Sequence, residues 1–397
     1  MIYQFKTEES GLGFDFDVEF EPNQKINCII GKNGIGKTQL LENMAKSLIY
    51  RHSIFSKKNP KLNFSGLLAN KIIQEKSKDF ALFLPLGLTF NEIIIKDKNN
   101  DSWGYATFER LLNHTRKNDF ICDNPIIFIG AKNRGFTKNI DPDNIKILGN
   151  AQKRFVESIT RTMSYINGIG LEQEEIANWF VSRLIINPNF VIADQNKSNE
   201  VVTVLRLIEK LEPSLKLVTP KEGGGNNLAI LYHEGQLLIN NIPLDKLSTG
   251  FVSIIKIFQE IVAGYGGWSN EDDLSQVDGI IFIDEIEPHL HISWQTKIIN
   301  ILKEFFPNTT FYISTHSPLV LAGLKDGEAY ELYKDENFVK TKKIENIENY
   351  FLSDIVSEFF GVDLNREKLD SLDNDEDAQK RAKVGKNFLD FLENVED

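Results

Sequence analysis

The chain opens with short runs in which apolar and polar residues alternate. Ile2 to Phe5 and the period-two stretch Phe14 to Phe20 predict a strand pair. Ile26 to Ile30, apolar at almost every position and bounded by Pro22-Asn23 and Gly31, predicts a buried strand. From Thr38 to Tyr50 the period changes: Leu40, Leu41, Met44 and Leu48 share one helical face directly after a glycine-rich turn. Between the polar stretches 53–65 and 95–103, ALFLPLGLTFNEIIIK predicts two more strands, and NPIIFIG at Asn124 to Gly130 a further buried one. Residues 150–215 are helical in spacing and poor in glycine, and predict a helical subdomain inserted into a sheet domain. Strand signals return over 216–240, where Gly223-Gly224-Gly225, lacking a following Lys-Ser/Thr, reads as a turn. From Gly279 to Val320 the order IIFIDE, SWQTKIINILKEFF, TTFYISTH is strand, helix, strand, which implies parallel pairing. The expected division is a discontinuous head over 1–149 and 216–345, the insert 150–215, and an acidic helical tail 346–397.

Three stretches carry chemistry. Gly31 to Thr38 satisfies G-x-x-x-x-G-K-[ST] between a predicted strand and a predicted helix. Its glycines let backbone N–H groups wrap phosphate oxygens, Lys37 adds a point charge, and Thr38 offers a hydroxyl to Mg²⁺. The apolar run GIIFIDE ends in Asp284-Glu285, placing one carboxylate to hold a divalent cation and the next to activate water. The strand FYIS ends in Thr315-His316, and parallel pairing brings His316 to the same sheet edge. A second candidate anion site is Lys246 to Ile254, where Ser248 and Gly250 open an apolar helix; a plain helix cap explains the same residues equally well. His289 and His291 with Glu287 form a metal-like cluster that no third histidine or cysteine completes, so a polar turn is the expected reading.

Composition narrows the partners. With 45 Lys and Arg against 57 Asp and Glu, the net charge of −12 repels polyanions, so nucleic-acid contact requires a local patch. Lys57, Lys58, Lys61, Lys132, Arg134 and Lys138 are the candidates for such a track. The two cysteines, Cys28 and Cys122, read as small buried hydrophobes. No secretion signal and no membrane-length apolar run is present, so a cytoplasmic protein without membrane contact is expected. The length of 397 residues leaves no expected room for a long coiled-coil arm or a nuclease domain, and Asp370 to Asp377 reads as a solvated acidic face.

Taken in order, GKNGIGKT, LSTGFVS, IIFIDEIEPHLH and ISTHSPLVL resemble the ABC-type ATPases of the RecF, SMC and OLD-related group, and within it the stand-alone ATPases of bacterial anti-phage systems of the Septu, PARIS and retron-associated kinds. The resemblance implies an α/β fold: an ABC-type P-loop ATPase head with a mixed sheet, an antiparallel β subdomain and an inserted helical subdomain. It implies ATP and Mg²⁺, with Asn33, Gly34, Ile35, Gly36, Lys37, Thr38 and Gln39 on the nucleotide, Thr38 and Asp284 on the metal, and Glu285 and His316 catalytic. Ser248 and Gly250 would complete the nucleotide site of a second copy in a head-to-tail homodimer or higher homo-oligomer. Phe251 departs from the Gln or Glu of transport-type relatives, and Gly130 to Arg134 stands where a glutamine loop is expected without a glutamine. The implied role is an ATPase that controls a separate effector protein, a nuclease or toxin. The alternative is a RecF-like clamp that binds DNA under ATP control.

Overall fold

The computed structural model describes residues 2–8, 10, 12–50, 52, 87–90, 93–96, 122–132, 134, 148, 150–166, 176–184, 197–217, 227–228, 230–233, 236–269 and 271–361. Strands β1 (Gln4–Glu8) and β2 (Asp15–Glu19) alternate buried and half-buried residues, as strands with one covered face do. The strand β3 (Ile26–Ile30) is buried at all five positions, which is why its sequence is a continuous apolar run. It leads through the glycine-rich loop into α1 (Lys37–Tyr50). There follow β4 (Gly87–Phe90), β5 (Ile93–Lys96) and β6 (Ile126–Ile129), and then helices α2 (Ala151–Ile166), α3 (Ile176–Leu184) and α4 (Ser198–Leu211). The short pair β7 (Lys216–Leu217) and β8 (Asn227–Leu228) and the small sheet β9 (Ile230–His233), β10 (Gln236–Ile239) and β11 (Ile242–Pro243) stand apart from the main sheet. After α5 (Thr249–Trp268) come β12 (Ile280–Ile283), α6 (Ile292–Gln295), α7 (Ile298–Phe305), β13 (Thr310–Ser314), α8 (Pro318–Leu321), β14 (Ala329–Asp335), β15 (Phe338–Lys343) and α9 (Leu352–Phe360).

Among the described residues, ten strands form one mixed sheet in the order β5-β4-β1-β2-β15-β14-β3-β13-β12-β6. The run from β14 to β6 is parallel throughout, with Ile283 beside both Ile313 and Ile129, and Ser314 beside Ile29. Four loops therefore leave the same edge side by side, after β3, β13, β12 and β6. The antiparallel strands β1, β2, β4 and β5 continue this sheet as a wing, joined to it through the parallel pair β2 and β15.

Helices cover both faces. One core holds α3, α4 and α5 against the sheet through Trp179, Val204, Phe258, Ile281 and Ile283, and the other holds α1 and α2 through Leu41, Met44, Phe155, Phe128 and Phe282. The helices of 150–215 are thus divided between the two cores. The helix α5 is buried from Val252 to Gly267, on all sides rather than along one stripe. Its Lys256 and Glu260 pair at 2.7 Å, and Arg161 of α2 reaches Glu260 at 3.3 Å. Burial pushes the Glu260 carboxyl up, but the two cations outweigh it and leave its pKa below the ordinary value. Arg183 and Glu200 make a second buried pair at 2.6 Å, with the guanidinium 4.2 Å from the centre of the Trp179 ring. Cys28 and Cys122 are free and buried, and no described helix is long and apolar enough to cross a membrane.

Candidate functional site

The loop after β3 is built by backbone conformation. Gly34 and Gly36 have φ of +77° and +109°, where a side chain is strained, and a Cβ on Gly36 would also lie 3.0 Å from the Phe14 ring. Asn33, Gly34 and Gln39 are exposed, and Ile35 is half-buried with its N–H donating to the Lys32 carbonyl at 3.2 Å. Lys37 is buried, and its Nζ donates to the carbonyls of Gly31 at 2.7 Å and Lys32 at 3.3 Å. Burial lowers the Lys37 pKa against the opposing pull of Glu285, Asp284 and Glu287. The ammonium thus rests on the carbonyls of its own loop, within the field of the acids at the end of β12.

Between β3 and β12 lies β13, whose last residue, Ser314, holds the acidic strand end, while Thr38 joins the phosphate loop to it. Thr38 Oγ1 lies 3.0 Å from both carboxylate oxygens of Asp284, 246 positions away in the chain. Ser314 Oγ donates to Asp284 Oδ1 at 2.7 Å and accepts from the N–H of Glu285 at 2.8 Å. Glu285 itself sits in the left-handed region at φ +48°, costly for a residue with a Cβ. From the loop after β6, the Arg134 guanidinium donates to the carbonyls of Asp284 and Glu285. Glu287 accepts from Thr315 Oγ1 and from the His316 N–H, both at 2.7 Å, and so ties the loop after β12 to the loop after β13. The half-buried His316 is therefore placed by its main chain.

The start of α5 is arranged differently. The exposed Ser248 caps its own helix, accepting from the Phe251 N–H at 3.3 Å. A Cβ on Gly250 would lie 2.5 Å from the His289 carbonyl oxygen, and Ser253 Oγ donates to the Pro288 carbonyl at 3.1 Å. Phe251 faces Trp294 with ring centres 6.1 Å apart. These contacts run to the segment following Glu285, not to the phosphate loop. His291 caps α6 through Ser293, and Glu287 is spent on the Thr315-His316 loop.

Lys37, Thr38, Asp284, Glu285 and the main chain of His316 are thus gathered at one edge of the sheet, while Ser248 and Gly250 belong to a separate contact. The structure corrects the expected basic track at Arg134: this side chain is 1% exposed and turned toward the Asp284-Glu285 carbonyls, where a buried guanidinium finds acceptors. Lys57, Lys58, Lys61, Lys138, the triple glycine at 223–225 and the acidic stretch 370–377 lie outside the described residues. Three site residues escaped sequence reasoning. Arg134 read as surface charge, Glu287 as part of a polar turn, and Ser314 as an ordinary strand residue, although a hydroxyl closing an apolar strand just before Thr315-His316 was a usable signal.

Residues 26–322 match the family described as "AAA domain, putative AbiEii toxin, Type IV TA system". The chain is 25% identical over 369 residues to the Septu protein PtuA of Bacillus mycoides (strain KBAB4), covering 91% of this chain and 44% of that protein. It is 23% identical over 372 residues to the Septu protein PtuA of Bacillus thuringiensis, covering 90% of this chain and 83% of that one. This chain thus spans less than half the length of the first relative. Among solved structures, an SMC head bound to the C-winged helix domain of ScpA aligns with 87% of this chain and 97% of its own, at 11% identity and a TM-score of 0.39.

Proposed function

The chain belongs to this AAA-domain family of P-loop ATPases, and on that premise we propose that it binds and slowly hydrolyses ATP at the edge formed by the loops after β3, β12, β13 and β6. The observation that carries this reading is the Thr38 hydroxyl meeting both oxygens of Asp284 beside the buried Lys37. Hard oxygen donors converging there suit Mg²⁺, held by Thr38 and Asp284 and supplying neutralisation of phosphate charge. Backbone N–H groups from Asn33 to Gln39 and the Lys37 ammonium bind the phosphates. Glu285 takes the proton from the attacking water, and His316 contacts the terminal phosphate. Replacing Lys37 by Ala should lower turnover by at least about 10²-fold, read by phosphate release. Turnover at the wild-type rate would overturn the assignment.

The exposed start of α5 supports a second part of the reading, in which Ser248 and Gly250 close on the nucleotide of a second copy. Light scattering on the Glu285→Gln variant with Mg-ATP should then show a dimer, and a monomer at saturation sinks this part. The names of the similar proteins and the resemblance to anti-phage ATPases favour an ATPase that controls a separate nuclease or toxin. The insert 150–215, with Leu184 and Val202 exposed, and the tail 346–397 are the proposed docking surfaces. Co-purification with the products of neighbouring genes tests this, and an ATPase that elutes alone in every nucleotide state contradicts it. The clamp reading loses Arg134 from its basic track, so a protein effector is preferred over DNA.

A further inference from the structure

We propose that Arg134 is a positioning residue for Glu285, a role that rests on the ATPase reading above. Two features of Glu285 require explanation. It is a non-glycine residue at φ +48°, and it follows the last residues of β12, so the ladder leaves its main-chain groups without strand partners. Each group is instead held by a side chain from a neighbouring loop or strand. The N–H donates to Ser314 Oγ at 2.8 Å, and the carbonyl accepts from Arg134, whose Nη2 also reaches the Asp284 carbonyl at 3.0 Å. Nε of Arg134 is anchored in turn on the Ala131 carbonyl at 3.4 Å. With both sides of its Cα pinned, the direction in which Glu285 leaves the main chain is set by Ser314 and Arg134 together.

The placement is a poor device for stability. Arg134 is 1% exposed, and its Nη1 is buried with no hydrogen-bond partner among the described residues. A buried cation with an unused donor costs folding free energy, and an apolar side chain of similar volume would fill the space more favourably. What the guanidinium does supply is geometry. It spans two successive carbonyls from a fixed planar group, which a lysine ammonium cannot do. Arg134 lies in the loop after β6, the strand beside β12, and its bond to the Ala131 carbonyl ties it back toward the end of that strand.

The test uses the full chain with Arg134→Lys and Arg134→Met, the second chosen because an apolar replacement at an under-satisfied buried cation is expected to fold. The readouts are kcat for ATP hydrolysis, the Kd of a fluorescent mant-ATP probe with Mg²⁺, and the thermal midpoint. A misplaced general base lowers kcat by between about tenfold and 10²-fold, more in the Met than in the Lys variant, while Kd stays within about threefold because phosphate binding does not involve Arg134. Unchanged kcat in both variants overturns the proposal, as does a loss of affinity matching the loss of kcat. Wild-type protein whose turnover is absent or independent of Lys37 overturns the ATPase reading and this role with it. Lys37-dependent turnover that ignores Arg134 overturns this role alone.

Discussion

Two helices begin at glycine-containing turns, and they make different uses of the same local chemistry. The start of α1 is interlocked: Lys37 is buried, and Thr38 bonds across 246 positions to a carboxylate that β12 delivers. The start of α5 is exposed, its Ser248 bonded among the described residues to its own first turn, with Gly250 pressed on the His289 carbonyl. Both N-termini offer N–H groups and the positive end of a helix dipole. Among the described residues, only the first has the acids of another strand end bonded to it, because it alone follows a strand of the parallel sheet. The difference teaches that a helix start becomes a candidate reaction site where the sheet edge supplies its partners, and otherwise remains a surface. The far ends of the same helices meet, with the His52 ring just past α1 lying 4.9 Å from Trp268, the last residue of α5.

The sharpest way to break this contrast is at the interlocked end. Glu285→Gln should reduce turnover by about 10²-fold or more while leaving Mg-ATP bound, measured by phosphate release and equilibrium binding. Turnover close to wild type would mean that the acids round α1 are structural. At the junction of the two helices, burial holds the His52 pKa down at about 4. The neutral imidazole is the folded form, so stability is complete above the unfolded value near 6.5 and falls as pH drops toward 4, by about 3 kcal/mol. Denaturant midpoints at pH 7, 5 and 4 should show this loss in wild type and a flatter profile in His52→Gln; parallel profiles would remove His52 from the account.

Smaller effects probe the exposed end. Gly250→Val sets a Cβ against the His289 carbonyl at 2.5 Å, and should cost about 1–3 kcal/mol of stability. Because that carbonyl lies four residues after Glu285, turnover should fall as well, with nucleotide affinity of the single chain preserved. Loss of affinity in dilute protein would show that α5 contributes to the site of its own chain. The mildest change, Ser248→Ala, removes a cap worth about 1 kcal/mol. It should lower the denaturation midpoint slightly and spare nucleotide affinity at concentrations where the protein is monomeric.

Much of the site was legible because its signals are local. Gly34, Gly36 and Lys37 sit within one turn of chain, Asp284-Glu285 closes an apolar run, and β3, β12 and β13 are buried on both faces and so are spelled as continuous hydrophobic stretches. The parallel pairing of β12 and β13, which brings their ends to one edge, followed from the strand, helix, strand order. Arg134 was misread because nothing near it in sequence distinguishes a buried guanidinium from a surface charge; the acceptors of its Nη2 are 150 and 151 positions away. Glu287 read as part of a polar turn, but what it binds was not legible, since its partners Thr315 and His316 lie in the loop after another strand.

What the sequence by itself determined is the set of elements and the chemistry each carries, since periodicity, glycine placement and strand-end polarity are properties of consecutive residues. The tertiary structure alone decided which of these meet. It inserted β13 between β3 and β12, so that Ser314 could hold both the Asp284 carboxylate and the Glu285 N–H, and set β6 beside β12, so that Arg134 could reach the Glu285 carbonyl. Strand order and side-chain direction depend on contacts between distant residues, and a buried polar group finds its partner only after the whole sheet has been assembled.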